Sequence, residues 1–398
     1  MARRGLRGAL RRRGLRLSLR PRPRYVLEIM TGTLIADAGD VANVFLSAYF
    51  AWALKAYPLI LALLPGLANL RGGNMSAMAA RISTRLQLGV EEPRLRSALA
   101  SESGPALSAS LVAGVMIAAI AALASGVPLL RSIAAAGLSS AIVLTVMIPF
   151  TALVAVWTYR RGVNPDNVAA PILTVAGDIV SVPSLVAAAL VLGSPVAEGV
   201  LAFATLWAAA TALLVAARLG GRLGSIVRDI SLAMLLTAFI ESLAGGILSR
   251  TRDALYAAGV IHVVASLLED TGAASSVIVS RSSTMLHLYG PERVVRETPT
   301  MVSEAVLGVA PALVVLALIA ELWGRILGLP VTAYRLAVTV VGGGLAITAA
   351  GSAIGVATAL ATSRLNLDPD NAALPLITSI VDLIGSAVTA VLALLLIH

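Results

Sequence analysis

Residues 164–178 read NPDNVAAPILTVAGD and residues 368–382 read DPDNAALPLITSIVD, which are two copies of one pattern. Each copy starts with an Asn or Asp that suits the N-cap of a helix, followed by a proline that suits its first position. An acidic residue in the first turn favours the positive end of the helix dipole. Each copy therefore predicts an apolar helix that begins at the motif and carries one further carboxylate, Asp178 or Asp382, deep inside it.

This inner carboxylate shares a helix face with other oxygen ligands. At about 1.5 Å per residue, Asp178 lies roughly 20 Å along the axis from the helix start, far from headgroup water in a bilayer. Pro171 and Thr174 lie on the same face, and Pro171 leaves the carbonyl of Asn167 without its helical hydrogen bond. A hard cation prefers such carboxylate, carbonyl and hydroxyl oxygens. The ligands predicted from the two copies are Asp178, Asp382, Thr174, Thr378, Asn167 and Asn371.

A simpler explanation is that each inner carboxylate is a structural hydrogen-bond partner for a neighbouring helix. An acid within a membrane is energetically expensive, however, and is usually functional. Here it occurs twice, at the same distance from the acid of the first turn, as Asp166 to Asp178 and Asp370 to Asp382. This repetition favours a functional role.

The composition is typical of a polytopic membrane protein. Of the 398 residues, 58% are hydrophobic and only 13% are charged, which is too apolar for soluble domains. The chain has no cysteine, which excludes disulfides and thiolate metal sites, and its three scattered histidines lack zinc-ligand spacing. The net charge of +9 comes from arginines in a short N-terminal segment and in loops, so we expect the lipid bilayer rather than nucleic acid as a partner.

Eleven apolar stretches are candidate membrane spans. Residues 1–24, which precede them, are rich in arginine, contain no acid and are not followed by a cleavable signal pattern. We interpret them as a cytoplasmic tail, with binding to anionic lipid as an additional role. The candidate spans are residues 27–53, 57–80, 104–126, 133–158, 165–192, 195–217, 227–249, 254–279, 301–323, 331–361 and 369–397.

The basic residues predict the orientation of these spans. When the N-terminus is placed inside, most arginines outside the spans fall on the inner side and few basic residues fall on the outer side. This distribution agrees with the positive-inside rule. An odd number of spans then places the N-terminus in the cytoplasm and the C-terminal His398 outside, in a multi-pass protein of the cell membrane.

An internal repeat runs through the core. The segment ARISTRLQL at 80–88 matches SRSSTMLHL at 280–288, an offset close to that between the two motifs. Each repeat holds five spans, and because five is odd, the extra span at 195–217 restores the same orientation to the second copy. We therefore predict an all-α polytopic membrane protein with about eleven transmembrane helices, in which two parallel five-helix repeats flank a linking helix. The predicted boundaries are 1–24 for the tail, 25–193 for the first repeat, 194–220 for the linking helix and 221–398 for the second repeat.

Other polar groups fall inside the apolar spans. The segment PGLANLRGGN at 65–74 combines helix breakers with amides, and its counterpart SLLEDTG at 266–272 carries acids instead. We expect an irregular backbone that lines a cavity here, the alternative being a break with solvated side chains. Asp37 and Asp40 in the first span, and Glu241 in its counterpart, are further intramembrane acids, of which we expect at least one to face the pathway. From these groups the predicted metal ligands are Asp40, Glu241 and Asp270.

The motifs resemble those of the MgtE-type divalent cation transporters, and more closely those of the branch with two fused transmembrane repeats, the solute-carrier magnesium transporters. The likeness rests on LRGGN at 70–74 leading to ARIST at 80–84, on the two Pro-Asp-Asn motifs, and on their second copies, and it covers about residues 27–397. It implies a membrane transporter for Mg²⁺ and other divalent cations, with Asp178 and Asp382 binding the ion in a central pore. A Gly-Asn pair of the family fits Gly73-Asn74 with a displacement of one residue, which adds Asn74 to the implied ligands.

We interpret the chain as a pseudo-dimer in which Asp178 lies opposite Asp382 and the two charges balance one divalent cation. Mg²⁺ is then the transported ion, and no cofactor is expected. One alternative is a proton-coupled or Na⁺-coupled carrier of another solute. A second is a membrane-embedded, metal-dependent enzyme, although no acid cluster with a nucleophile lies near the predicted cytoplasmic surface. The sequence leaves the oligomeric state open, and a pseudo-dimer of this kind can carry the complete site as a monomer.

Overall fold

The computed structural model describes residues 21–87, 94–161, 165–219, 221–364 and 369–397. Within these ranges the chain is helical apart from short turns, and no strand occurs, so the predicted all-α class is confirmed. The helices are α1 (Pro23–Tyr49), α2 (Ala51–Ala56), α3 (Pro58–Gln87), α4 (Leu95–Ser125), α5 (Leu129–Arg160), α6 (Pro165–Val191), α7 (Pro195–Leu219), α8 (Gly221–Ala257), α9 (Val264–Tyr289), α10 (Pro291–Ile326), α11 (Ala333–Leu336), α12 (Gly344–Arg364) and α13 (Pro369–Leu396). A π-helical segment, Ala337–Gly343, joins α11 to α12.

The long helices make this a polytopic membrane protein. Seven helical segments in the described ranges are long and apolar enough to cross a bilayer. They are α1, α4, α5, α7, α10, the continuous segment Ala333–Arg364 that comprises α11, the π-helical segment and α12, and the larger part of α13. Helices α3 and α6 contain shorter apolar segments, Pro58–Gly72 and Ala176–Val191. The helices α3, α8 and α9, which carry many buried polar side chains, are not among the seven. The total of eleven spans stays a prediction.

Both motif helices begin at the predicted residue. Helix α6 starts at Pro165 and helix α13 at Pro369, and proline suits the first helical position because no helical partner is needed there for an N–H group. The capping residues Asn164 and Asp368 lie outside the described residues. From these starts, Asp178 and Asp382 fall near the middle of the two helices.

The first helix of each predicted repeat packs against the third helix of the other. Helix α1 lies along α10, and α8 lies along α4. The backbones of α1 and α10 approach closely, since a Cβ added to Gly308 would lie 2.7 Å from Cβ of Ile29 and 3.2 Å from the carbonyl oxygen of Val26. A reciprocal exchange of this kind is what a pseudo-two-fold relation between repeats produces. The exact domain boundaries stay a prediction.

The expected irregular backbone at 65–74 and 266–272 is wrong. Helix α3 contains Pro65 without interruption, and α9 is continuous through its counterpart. Pro65 cannot donate to the carbonyl of Leu61, but α8 packs directly on this turn. A Cβ added to Gly245 of α8 would lie 3.0 Å from the oxygen of Leu61 and 2.2 Å from that of Ala62. Close contact with α8 therefore supports the turn that proline weakens.

The predicted span at 254–279 is displaced by about three helical turns. Helix α8 continues to Ala257, and residues 258–263 form a turn before α9 begins at Val264. Gly259 has φ +74, and a Cβ there would lie 2.5 Å from the carbonyl oxygen of Pro330. The apolar residues of this turn are buried, among them Val260 and Ile261. Their hydrophobicity reflects burial in a loop rather than a position in a membrane span.

Candidate cation site

A cavity of about 350 Å³ lies between the two predicted repeats. The middles of α6 and α13 and the first halves of α3 and α9 form most of its wall, with contributions from α1, α2 and α8. One part of the wall is apolar, and another carries the side chains of Asp178, Glu269, Asp382, Thr378 and Asn69. Polar oxygens are thus gathered at the level of the helix middles.

Equivalent residues of the two repeats line this cavity together. On α3 and α9 both members of several pairs contribute, and on α6 and α13 the two motif acids do. A cavity lined by matched pairs lies on the axis that relates the repeats. The pairs are Leu64 with Val264, Pro65 with Ala265, Ala68 with Leu268, Asn69 with Glu269, Gly72 with Gly272, and Asp178 with Asp382.

The acids of the cavity wall contact other acids. Asp178 is in hydrogen-bonding contact with Glu269, and Asp382 with Glu241. Glu241 also accepts a hydrogen bond of 2.7 Å from Nδ2 of Asn69. Two ionised carboxylates repel each other at such short range, so a cation or a shared proton must lie between them. The arrangement can therefore bind cations or protons.

One buried base partly offsets this negative charge. Arg71 on α3 is 3% exposed, donates a hydrogen bond of 2.5 Å to Ser139, and attracts Asp178 electrostatically. Nε and Nη1 of Arg71 have no hydrogen-bond partner within the described part of the chain. The equivalent residue in the second repeat is the uncharged Thr271. The two halves of the site thus differ in charge, and the half around Asp382 lacks a matching guanidinium.

The family profile described as MgtE, divalent cation transporter, matches residues 64–188 and again residues 264–392. The chain belongs to this family. The two matched regions begin in α3 and α9 and end in α6 and α13, so a single MgtE unit occurs twice, as the sequence repeat predicted. MgtE proteins are a transporter family rather than an enzyme family, which agrees with the expectation of a transporter. No curated protein and no solved structure gave a significant match to the chain.

The structure of this MgtE protein brings only some of the predicted ligands together. Asp178, Asp382 and Thr378 line the cavity, and Glu241 reaches it through contacts with Asp382 and Asn69. Asp40 and Asp270 lie in a separate buried cluster with Asp37. The side chains of Asn167, Thr174 and Asn371 lie outside the described residues.

Asn74, which the resemblance implied as a ligand, lies away from the cavity wall. It is 1% exposed, and its Nδ2 donates hydrogen bonds to the carbonyl oxygen of Ala106 at 2.8 Å and to Ser110 at 2.6 Å. These bonds tie α3 to α4. In this structure, the amide on α3 that faces the MgtE cavity is Asn69.

Asn69 was not among the ligands predicted from the sequence, and Glu269 entered the sequence analysis only as one of the acids of the segment 266–272. Both belong to the segments interpreted as helix breaks, where side-chain directions could not be assigned. A continuous helix changes this, because residues 65, 68, 69 and 72 of α3 then share one face. The offset of 200 residues between Asn69 and Glu269 is the signal that identifies them as a pair.

A second matched pair of contacts ties the far ends of α3 and α9 to their neighbours. Arg81 forms a salt bridge of 2.7 Å with Glu102, and Arg281 forms one of 2.7 Å with Glu304. Both glutamate side chains are fully buried. Glu304 also binds Arg22 at 2.9 Å, at the start of α1. Toward the C-terminal ends of α3 and α9, ion pairs thus hold the helices of the MgtE units together.

Proposed function

We propose that this protein transports Mg²⁺ across the cell membrane through the central cavity, with Asp178 and Asp382 binding the ion between the two repeats. The observation that supports this proposal is that the cavity wall carries one motif acid from each repeat, together with Glu269. Family membership supplies divalent cation transport, and the paired acids supply a place for the ion.

The dimensions of the cavity favour a hydrated ion. Mg²⁺ dehydrates reluctantly and usually binds through one or two carboxylates while it keeps several waters. A volume of about 350 Å³ has room for an ion with a full water shell, since one water occupies about 30 Å³ in the liquid. The hydroxyl of Thr378 and the amide of Asn69 are then positioned to bind its water molecules.

Flux measurements test the proposal. Purified protein in liposomes should take up Mg²⁺, and Asp178→Asn and Asp382→Asn should each lower the rate at least roughly tenfold, because each removes one ligand charge. Asp253→Asn is the matched control, since this side chain is 67% exposed and lies near the end of α8. Normal Mg²⁺ flux in both cavity variants would rule out the proposed site.

The same assay addresses the coupled-carrier alternative. Mg²⁺ uptake that continues without a Na⁺ or proton gradient fits a passive pathway for the ion. Uptake that requires either gradient would instead identify a coupled transporter, and a gradient-driven flux of another solute without Mg²⁺ movement would favour the alternative function. Competition by Ca²⁺ and Mn²⁺ measures the selectivity of the site.

A further inference from the structure

We propose that Asp37, Asp40 and Asp270 form a second divalent-cation site, beside the cavity and separate from its wall. One carboxyl oxygen of each residue lies within 4.8 Å of the others. Asp37 and Asp40 are one helical turn apart on α1 and share its face, while Asp270 comes from α9. This inference rests on the proposed transport function for its role, but not for its geometry.

The three carboxyl groups are buried, and most of their oxygens receive no hydrogen bond from a donor group. Asp37 and Asp40 are each 3% exposed, and Asp270 is fully buried. Within the described part of the chain, both oxygens of Asp37, both of Asp270 and Oδ2 of Asp40 have no hydrogen-bond partner. Oδ1 of Asp40 accepts a hydrogen bond from the hydroxyl of Ser266, and the amide of Asn43 is also within hydrogen-bonding reach of Asp40. The carboxyl groups of Asp37 and Asp270 are in contact with each other. Buried carboxyl oxygens are normally hydrogen-bonded. Carboxyl oxygens that face one another without a donor therefore indicate a missing cation or a shared proton between them.

The missing ligand is positively charged. The groups that act electrostatically on this cluster include further acids, with Glu269 next to Asp40 and Asp270. None of the ion pairs formed by the described residues involves the cluster. Three carboxyl groups out of contact with water cannot all ionise without a compensating cation, since an uncompensated buried charge is strongly unfavourable.

The spacing fits a divalent ion bound through oxygen. Ligand oxygens on opposite sides of Mg²⁺ are about 4.2 Å apart, and those around Ca²⁺ are up to about 5 Å apart. Oxygens within 4.8 Å of one another therefore surround an ion of this size with at most a small closure of the helices. Hard divalent cations prefer all-oxygen ligand sets of this kind.

A chain of hydrogen bonds connects the cluster to the cavity. Asn43, which lines the cavity, donates a bond of 3.2 Å to Ser266, and Ser266 donates to Asp40. On the neighbouring turn of α9, consecutive residues point about 100° apart, so Glu269 faces the cavity while Asp270 faces the cluster. Two cations on either side of this turn repel each other, and such repulsion promotes release from adjacent sites in ion pathways.

Counting bound ions tests the second site. The probe is Mn²⁺, measured by electron paramagnetic resonance on the full-length protein in nanodiscs, with Mg²⁺ as competitor. We expect two Mn²⁺ per wild-type chain, one in Asp270→Asn and one in Asp382→Asn, with Asp253→Asn retaining two. In Asp270→Asn, the affinity of the second site for Mn²⁺ should fall at least roughly tenfold. Asp37→Asn, on the other helix, should repeat the effect of Asp270→Asn.

The outcomes separate this inference from the proposed transport site. A wild-type chain that binds one ion, which Asp382→Asn abolishes, would overturn the second site and leave the transport site intact. Unchanged binding in both Asp37→Asn and Asp270→Asn would overturn it as well. If Asp178→Asn and Asp382→Asn both transport normally, the transport site fails, while the cluster variants still decide the second site. If neither Asp37→Asn nor Asp270→Asn folds, the ion count of Asp382→Asn decides. One remaining bound ion supports the second site, and the loss of both ions refutes it.

Discussion

At the scale of single residues, the site is distinguished by unequal charge on its two sides. Glu269 acts on both motif acids, but Asp178 also lies in the field of Arg71, whereas Asp382 also contacts Glu241. A cation in the cavity therefore gains more attraction from the Asp382 side. The sequence predicted the pair of motif acids because they repeat, but it could not predict this asymmetry, which arises from side chains on three other helices.

Protons should compete with Mg²⁺ for the cavity, because both bind the same carboxylate oxygens. We expect Mg²⁺ affinity to fall as the pH is lowered, and both the affinity and its pH dependence to decrease in Asp178→Asn and Asp382→Asn. Isothermal calorimetry at several pH values measures this. Wild-type affinity that does not change with pH would contradict a site built from paired carboxylates.

Removing the positive charge of Arg71 should strengthen Mg²⁺ binding, whereas removing the charge of Asp178 or Asp382 should weaken it. Arg71→Met replaces the guanidinium side chain by an apolar one of similar length. It removes the positive charge that competes with the ion for Asp178. We expect tighter Mg²⁺ binding, by roughly tenfold if the effective dielectric constant at the site is near 20. Calorimetry compares the two proteins, with Arg250→Met as a control at an exposed position. Weaker binding in Arg71→Met would show that this side chain supports the site instead.

At the scale of helices, packing against a neighbouring helix stabilises a segment whose own residues disfavour a helix. The positions of the motif helices followed from the sequence because Pro165 and Pro369 are strong start signals. The proline and glycines at 65–73 gave a misleading signal, since the sequence does not reveal that α8 packs against the weakened turn of α3. The displaced α9 has a similar cause, because the buried turn at 258–263 is as apolar as a membrane span.

Gly245 should be intolerant of a side chain. Its added Cβ would lie 2.2 Å from the oxygen of Ala62, a backbone atom that cannot move aside cheaply. We expect Gly245→Ala to lower the free energy of unfolding by about 1–3 kcal/mol, as overpacking does. Gly199→Ala in α7 is the control, because no atom lies within 4 Å of its added Cβ. Thermal unfolding in detergent measures both, and equal stability of the two variants would contradict the close crossing of α3 and α8.

At the scale of the whole molecule, the number and direction of the spans are the main prediction that remains. The reciprocal packing of α1 on α10 and of α8 on α4 fits two repeats with the same orientation, which requires α7 as an extra span. We therefore expect the N-terminus in the cytoplasm and the C-terminus outside. Reporter fusions at the two ends measure this, and finding both ends on one side would exclude an odd number of spans.

Because the first helix of each repeat packs on the other repeat, α1 is synthesised well before the helix that it packs against. Helix α1 ends at Tyr49, but its main partner α10 begins only at Pro291, about 240 residues later. At roughly 5–20 residues per second, α1 waits about 12–50 s before its partner exists. For most of that interval neither α9 nor α10 is present to cover the acidic face with Asp37 and Asp40. A ribosome stalled before α10 would therefore leave α1 without its main partner.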